Sequence, residues 1–338
     1  MSPHVLASSL KGSTDRTVRA VIPNYNYARF LPGCVRTILN QQGVDVQVLI
    51  IDDASQDESR QVAAALAIRD SRVEVRYHAA NHGHIQTFNE GLEWAVNVPY
   101  VLVLSPDDGL TPGALQRACD LFEAHPEVGF VYGLAKVFRG DGPLPEISSK
   151  PAQFKTYRGV DWFATRCQEG YNCIYSPEVV MRSKILLTAG AKYLEDLPHT
   201  ADFELWMRLA LHGDVGVVDG PYQACYRDHD LGMHRAQFGD VLASMPQEKK
   251  AIDILFEQQA DKIPDREHLR KIASERLAAR TLWEACQALD RGDNGQAAAL
   301  QHLATDLCGD IRGLREYHDL LKRKVRPAVR KLQSEPPD

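Results

Sequence analysis

Residues 18–57 read VRAVIPNYNYARFLPGCVRTILNQQGVDVQVLIIDDASQD, and the change of pattern along them decides the fold. Val18 to Pro23 (VRAVIP) and Val46 to Ile51 (VQVLII) are short apolar runs, the second rich in β-branched residues, and both have the length and composition of buried strands. Between them, Phe30 to Gln41 carries Leu31, Val35, Ile38 and Leu39 at helical spacing, which makes the stretch a β-α-β unit. The alternation continues outward, with a helix over Gln56 to Ile68, a strand over Val73 to His78, a helix over Ile85 to Val96 and a strand over Tyr100 to Leu104. Thr111-Pro112 has the form of an N-cap followed by proline at the first helical position, opening a helix to Ala124, and a strand follows over Val128 to Phe138. This alternation predicts an α/β fold, a mostly parallel sheet flanked by helices, with ligands beyond the carboxyl ends of the strands.

From Asp240 onward the strand signals vanish. Ala251 to Gln259, His268 to Leu289 and Gln296 to Leu307 are helical by pattern, with a turn at Gly292-Asp293-Asn294-Gly295. The expected organisation is a polar leader over 1–16, an α/β domain over 17–239 and a helical extension over 240–338. That extension has an amphipathic pattern compatible with a homodimer, a partner or a wall of a binding cleft, plain packing being the default.

Composition narrows the function classes. The 338 residues are 44% hydrophobic and 25% charged with a net charge of −6, which suits a globular chain and gives no electrostatic reason for a nucleic-acid partner. Seven cysteines without any C-x-x-C pair suggest neither a zinc site nor a disulfide framework, and a reducing compartment fits them. The first twenty residues lack the apolar core of a secretory signal and no run approaches membrane-spanning length, so the expected location is cytoplasmic. Lys322 to Lys331 holds six positive charges in ten residues, which would suit peripheral contact with the inner face of a membrane; most such runs are solvated ends.

The chemistry-bearing residues follow the strands. VQVLII runs into Asp52-Asp53-Ala54-Ser55-Gln56-Asp57, placing two carboxylates where a base or ribose can be held, although a turn with Ser55 or Asp57 as helix cap is the plainer role. Asp107 and Asp108 follow the next apolar strand in LSPDD. Paired acids there suit Mg²⁺ with diphosphate completing its shell, or simply the positive end of the following helix. Between the two lies the polar loop Asn81-His82-Gly83-His84, able to offer backbone N–H groups or His84 to a phosphate.

Taken in order, VIPNYN, IIDDASQD, NHGHIQTFNEGL, LSPDD and ADFELWMRLA resemble the family 2 glycosyltransferases of GT-A fold, over residues 17–230. The resemblance implies an inverting transfer from a nucleotide-diphosphate sugar donor to a sugar, lipid-linked or small-molecule acceptor, assisted by Mg²⁺ or Mn²⁺. It implies Pro23, Tyr25 and Asp53 as donor contacts, with Asp52 supporting and His84 nearby, Asp107 near ribose or metal, and Asp108 at the metal. Asp202, opening ADFELWMR, takes the place of the general base, with helix capping as its plainer alternative. Glu195-Asp196, an acidic pair six residues earlier, ranks below it because no matching helix pattern follows. Tyr226-Arg227-Asp228-His229 resembles the family's Y-R-x-H element, implying Arg227 at the diphosphate and His229 at the metal, with His234 a weaker rival. Two positions depart from the family pattern: Ser105 and Ala201 stand where many members carry acids.

A sugar nucleotidyltransferase is disfavoured because no Gly-rich loop with an adjacent basic residue follows the first strand, and a dehydrogenase because no G-x-G-x-x-G follows any strand. A degenerate module that binds nucleotide sugar or glycan without turnover is the non-enzymatic alternative, motivated by Ser105 and Ala201. The loops Gly140 to Lys155 and Gln168 to Tyr175 are expected to choose the sugars.

Overall fold

The computed structural model describes residues 15–147, 150–229 and 240–334, with side chains as far as Lys324. It contains two compact units: residues 15–163 and 173–229 of those described, and residues 164–172 with 240–334.

The first unit is built on a nine-stranded sheet. Strands β1 (Thr17–Asn24), β2 (Asp45–Asp52), β3 (Val73–Tyr77) and β4 (Tyr100–Val103) lie in the order β3-β2-β1-β4, all parallel, linked by α1 (Leu31–Leu39), α2 (Ser59–Arg69) and α3 (His84–Ala95). β1, β2 and β4 form where expected because both faces are buried along the carboxyl-terminal halves of β1 and β2 and along β4: Ala20, Ile22, Val48 and Ile50 on one face, and Val21, Leu49 and Ile51 on the other, have no exposed surface. Removing each large aliphatic side chain from water contributes about 1.5–3 kcal/mol, which outweighs local preference. Pro23 is tolerated in a central strand because the pairing of β1 with β4 ends at Val21↔Val103, so its missing N–H falls where that neighbour has ended.

Beyond β4 the sheet is mixed. The two-residue β5 (Gly109–Leu110) precedes α4 (Ala114–Ala124), β6 (Val128–Arg139), β7 (Gln153–Tyr157), α5 (Gly159–Glu169), a 3₁₀ turn (Ser176–Glu178), β8 (Val180–Arg182), α6 (Ser183–Thr188), α7 (Ala201–Ala210) and β9 (Asp214–Asp228). β8 runs antiparallel between β4 and β6, β9 runs parallel to β6, and β5 and β7 pair antiparallel with β9.

One helix start differs from expectation. Gly109 and Leu110 pair with Cys225 and Ala224, which carries the chain past Thr111 in extended form. The Thr111 hydroxyl then donates to the Tyr222 carbonyl, and α4 begins three residues later behind Gly113, whose φ of 75° a side chain would resist.

The second unit contains α8 (Val241–Gln258), α9 (Arg266–Asp290), α10 (Asn294–Cys308) and α11 (Arg315–Ser334). Leu255, Phe256, Leu277, Leu282, Leu300 and Leu307 are among its buried residues. α8 starts ten residues before the apolar pattern suggests, because Asp240 caps it by accepting from the Leu242 N–H and the helix absorbs Pro246. Among the described residues no helix is long and apolar enough to cross a membrane. Lys322, Arg323 and Lys324, the described part of the basic run, reach Asp319, Asp290 and Gln301.

Candidate active site

After β4 the chain turns through Ser105 to Asp108 and meets β9. Pairing of Gly109 with Cys225 brings Arg227 against the acids: its N–H donates to Asp108 Oδ1 at 2.8 Å and its Nε to the Asp107 carbonyl at 3.0 Å. The guanidinium lies between Phe30 and Phe138, 4.4 and 4.5 Å from their ring centres, and also donates to the Gly140 and Gly142 carbonyls. These bonds hold the start of the loop expected to choose the sugars. His229 Nε2 lies 2.9 Å from Asp107 Oδ2, and its ring packs edge-on to Tyr27 at 6.0 Å.

The two acids are buried side by side. Burial first, and the Asp107 charge second, push the Asp108 carboxyl well above its ordinary value, an effect that the Arg227 N–H and charge only partly offset. His229 Nδ1 is buried with no hydrogen-bond partner among the described residues. Two adjacent carboxylates and an imidazole nitrogen fit a hard divalent cation whose remaining ligands are phosphate and water.

The acids after β2 are organised differently. Asp52 is wholly buried and holds its own turn, accepting from Ser55 N–H at 3.1 Å, Asn24 Nδ2 at 3.0 Å and Arg60 Nε at 3.3 Å. Asp53 Oδ1 accepts from His82 N–H and lies beside His78 Nδ1, both at 2.7 Å, while Oδ2 accepts from Gly83 N–H at 2.9 Å. Burial opposes its charge, but the His82 amide, His78 and the Gly83 amide outweigh that and hold Asp53 below its ordinary value.

The amides of His82 and Gly83, which the sequence left open for a phosphate or for ordinary loop bonding, serve Asp53. His78 is clamped on its other side by Glu90, 2.8 Å from Nε2. Asp53, His78 and His82 also bring ligand atoms within 4.8 Å of one another, with the His78 and His82 rings stacked at 4.3 Å. Both His78 nitrogens already face carboxylates, which is the geometry of an ion-pair bridge.

Asp202 sits in the first turn of α7. Its Oδ2 accepts from Ser176 Oγ at 3.1 Å and its Oδ1 lies 2.7 Å from the Phe203 N–H. The residue preceding the helix is Thr200, so Asp202 is inside α7 and not its N-cap. A buried bidentate pair, Arg208 with Glu204 at 2.8 and 2.9 Å, and the Arg208 bond to the Lys192 carbonyl, hold the helix to the segment before it. His84 Nε2 donates to the Pro198 carbonyl at 2.8 Å, joining the loop beside Asp53 to the approach to α7. Burial keeps His84 below its ordinary value.

The expected residues thus fall into three neighbourhoods. Asp107, Asp108, Arg227 and His229 form one chain of hydrogen bonds, Arg227 reaching both acids and His229 reaching Asp107; Asp52 and Asp53 lie at the end of β2 beside the buried Pro23, with Tyr25 43% exposed; Asp202 stands at α7. Glu195 reaches Gln86 at 3.4 Å, and His234 lies outside the described residues. Sequence reasoning missed His78, Glu90 and Ser176. Only Glu204 and Arg208 carried a local signal, their i, i+4 spacing on one helix.

Residues 20–182 match the family model of glycosyl transferase family 2. An uncharacterized glycosyltransferase of Nostoc sp. is 31% identical over 133 residues, 39% of this chain and 41% of that relative, so the match spans less than half of its length. The crystal structure of S. aureus TarS 1–349 in complex with UDP-GlcNAc superposes with a TM-score of 0.62 at 16% identity, covering 93% of this chain and 92% of that one. A mannosyltransferase from Pyrobaculum calidifontis in complex with GDP-Man and Mn²⁺ gives 0.51 at 15% identity, covering 94% and 88%. Sequence match, sheet order and structural likeness agree: residues 20–182 form a family 2 glycosyltransferase domain, and the chain has a GT-A fold with a helical C-terminal region.

Proposed function

We propose that this chain transfers a sugar, with inversion at the anomeric carbon, from a nucleotide-diphosphate donor to an acceptor hydroxyl. The observation that carries the reading is the buried acid pair Asp107–Asp108 beside His229, set at the carboxyl end of a parallel strand where a GT-A fold binds its donor. The domain of residues 17–239 does the chemistry, with the helical extension of 240–338 offering a surface for a homodimer.

Pro23, Tyr25 and Asp53 contact the nucleoside, Asp53 mainly by fixing the His82–Gly83 turn, and Asp52 holds the turn beneath them. His84 and Arg227 lie toward the diphosphate, Arg227 chiefly by anchoring the Gly140–Gly142 segment over it. Asp108, Asp107 and His229 would hold Mg²⁺ or Mn²⁺, a role the Mn²⁺ complex of the Pyrobaculum enzyme supports, and the bound cation supplies charge neutralisation for the diphosphate. Asp202 takes the proton from the acceptor hydroxyl as its oxygen attacks the anomeric carbon, and the C–O bond to the diphosphate breaks with the electron pair leaving on the nucleoside diphosphate. The setting we assign is cytoplasmic, with the run from Lys322 meeting anionic lipid if the acceptor is lipid-linked; nucleic acid has no part.

The test is binding and hydrolysis across a panel of UDP-, GDP- and dTDP-sugars with Mg²⁺, Mn²⁺ or EDTA. Metal-dependent binding of one nucleotide sugar is the expected result. Binding without transfer to any acceptor would leave the degenerate module, and no binding under any metal condition would overturn the reading.

A further inference from the structure

The segment between α5 and β8 brings an aromatic pair, a hydroxyl and a buried acid into one short turn. Tyr175 is 43% exposed and faces Tyr226, with ring centres 4.6 Å apart and planes inclined at 38°. Tyr226 precedes Arg227, whose N–H is bonded to Asp108, so this pair stands beside the acids after β4. The next residue after Tyr175 is Ser176, whose hydroxyl donates to Asp202. The aromatic pair is therefore joined to the acid pair through Arg227, the residue after Tyr226, and to Asp202 through Ser176, the residue after Tyr175.

Tyr175 is also fixed in place. Its N–H donates to Glu178 Oε1 at 3.3 Å and its carbonyl accepts from the Glu178 N–H at 3.2 Å, closing the 3₁₀ turn around it. Glu178 is only 3% exposed and its Oε2 has no hydrogen-bond partner among the described residues; burial pushes its carboxyl up to about 8, against the Tyr175 N–H, so it stays uncharged at neutral pH. A neutral acid inside the core can cap this turn without a counter-ion.

We infer that Tyr175, backed by Tyr226, is the platform for a pyranose acceptor, and that Ser176 is a positioning residue that aims the Asp202 carboxylate at the acceptor hydroxyl. This rests on the proposed transfer reaction and adds the acceptor's chemical class to it. A pyranose presents an apolar face of C–H groups with hydroxyls around its rim. A rigid aromatic face with polar groups at its edge matches that shape at little entropic cost, whereas an acyclic polyol offers no such face.

The experiment is saturation-transfer NMR with a panel of methyl hexopyranosides and glucitol, on the full chain with Mg²⁺ and a nucleoside diphosphate, for wild type, Y175A and Y175F. At least one pyranoside should bind wild type while glucitol does not. Its Kd should rise about five- to tenfold in Y175A and stay near wild type in Y175F, which keeps the ring face. Because Tyr175 is exposed, both variants should fold, and nucleotide affinity should be unchanged in both. Pyranoside binding unaffected by Y175A, equal binding of glucitol, or nucleotide binding with no pyranoside binding at all would overturn the platform and leave the donor site standing. Failure of wild type to bind any nucleotide sugar would instead sink the proposed function. For Ser176, S176A should lower kcat with acceptor KM and nucleotide Kd unchanged, and S176T, which keeps the hydroxyl, should restore most of it; equal loss in both variants would overturn the positioning role.

Discussion

The main-chain N–H of Arg227 lies 2.8 Å from Asp108 Oδ1, so the strand that closes the α/β unit is tied directly to the acid pair following β4. The bond uses a carboxylate oxygen for architecture and leaves the other for a ligand. Asparagine can keep the first role and not the second.

We therefore expect D108N to fold and melt within a few degrees of wild type, because its amide oxygen still accepts from the Arg227 N–H. Metal-dependent binding of the nucleotide sugar should fall by two orders of magnitude or more, on the order of other losses of charge stabilisation. Titration calorimetry with and without Mn²⁺ measures it, and metal-dependent binding retained in D108N would remove Asp108 from the metal site.

Asp202 makes a complementary case. D202N preserves the acceptor for Ser176 Oγ and the place at the start of α7 but cannot take a proton. Its kcat should drop by about 10²–10⁴, the usual contribution of a general base, with donor Kd unchanged. If D202N weakens donor binding by as much as it slows turnover, the base lies elsewhere.

How much of this was legible follows from what each signal depends on. β4 and the second halves of β1 and β2 are unbroken apolar runs because both faces of the parallel sheet are covered there, and the acids after them stand out by contrast. β5, β7 and β8 have two, five and three residues, and their pairing with β9, β6 and β4 is set by tertiary contacts that no local pattern carries. His78 is invisible for the same reason. It acquires its role only by meeting Asp53, 25 residues before it, and Glu90, 12 residues after, when β2, β3 and α3 come together.

That histidine gives a pH prediction. Burial opposes its protonation, but the hydrogen bonds and charges of Asp53 and Glu90 win and raise His78 above 6.5, while Asp53 is held below 3.8. A raised histidine contributes stability that is full below 6.5 and is lost as pH rises through its folded value; a lowered aspartate contributes stability that is full above 3.8 and is lost as pH falls through its own. The bridge is thus worth most between those values. Melting temperature of wild type minus that of H78Q should be largest near pH 5.5 and shrink toward pH 8.5, about neutral histidine's range. A difference independent of pH would mean that His78 is held neutral.

The last expectation concerns the helix that carries the site loop. Gly91 lies where α3 crosses β1, and a Cβ there would stand 2.1 Å from Val21 Cγ1 and 3.1 Å from its Cβ. Alanine is the better helix former by about 1 kcal/mol, which on an open face would stabilise the protein. Here the overlap must push α3 off the sheet or force Val21 from its rotamer, and overpacking of this kind costs about 1–3 kcal/mol, so the clash wins and G91A is destabilised. The V21A background decides whether the clash is the cause. Removing both Val21 methyls leaves the new Cβ room, so the cost of G91A measured by urea unfolding should shrink by at least about 0.5 kcal/mol, and strict additivity of the two changes would place the strain elsewhere.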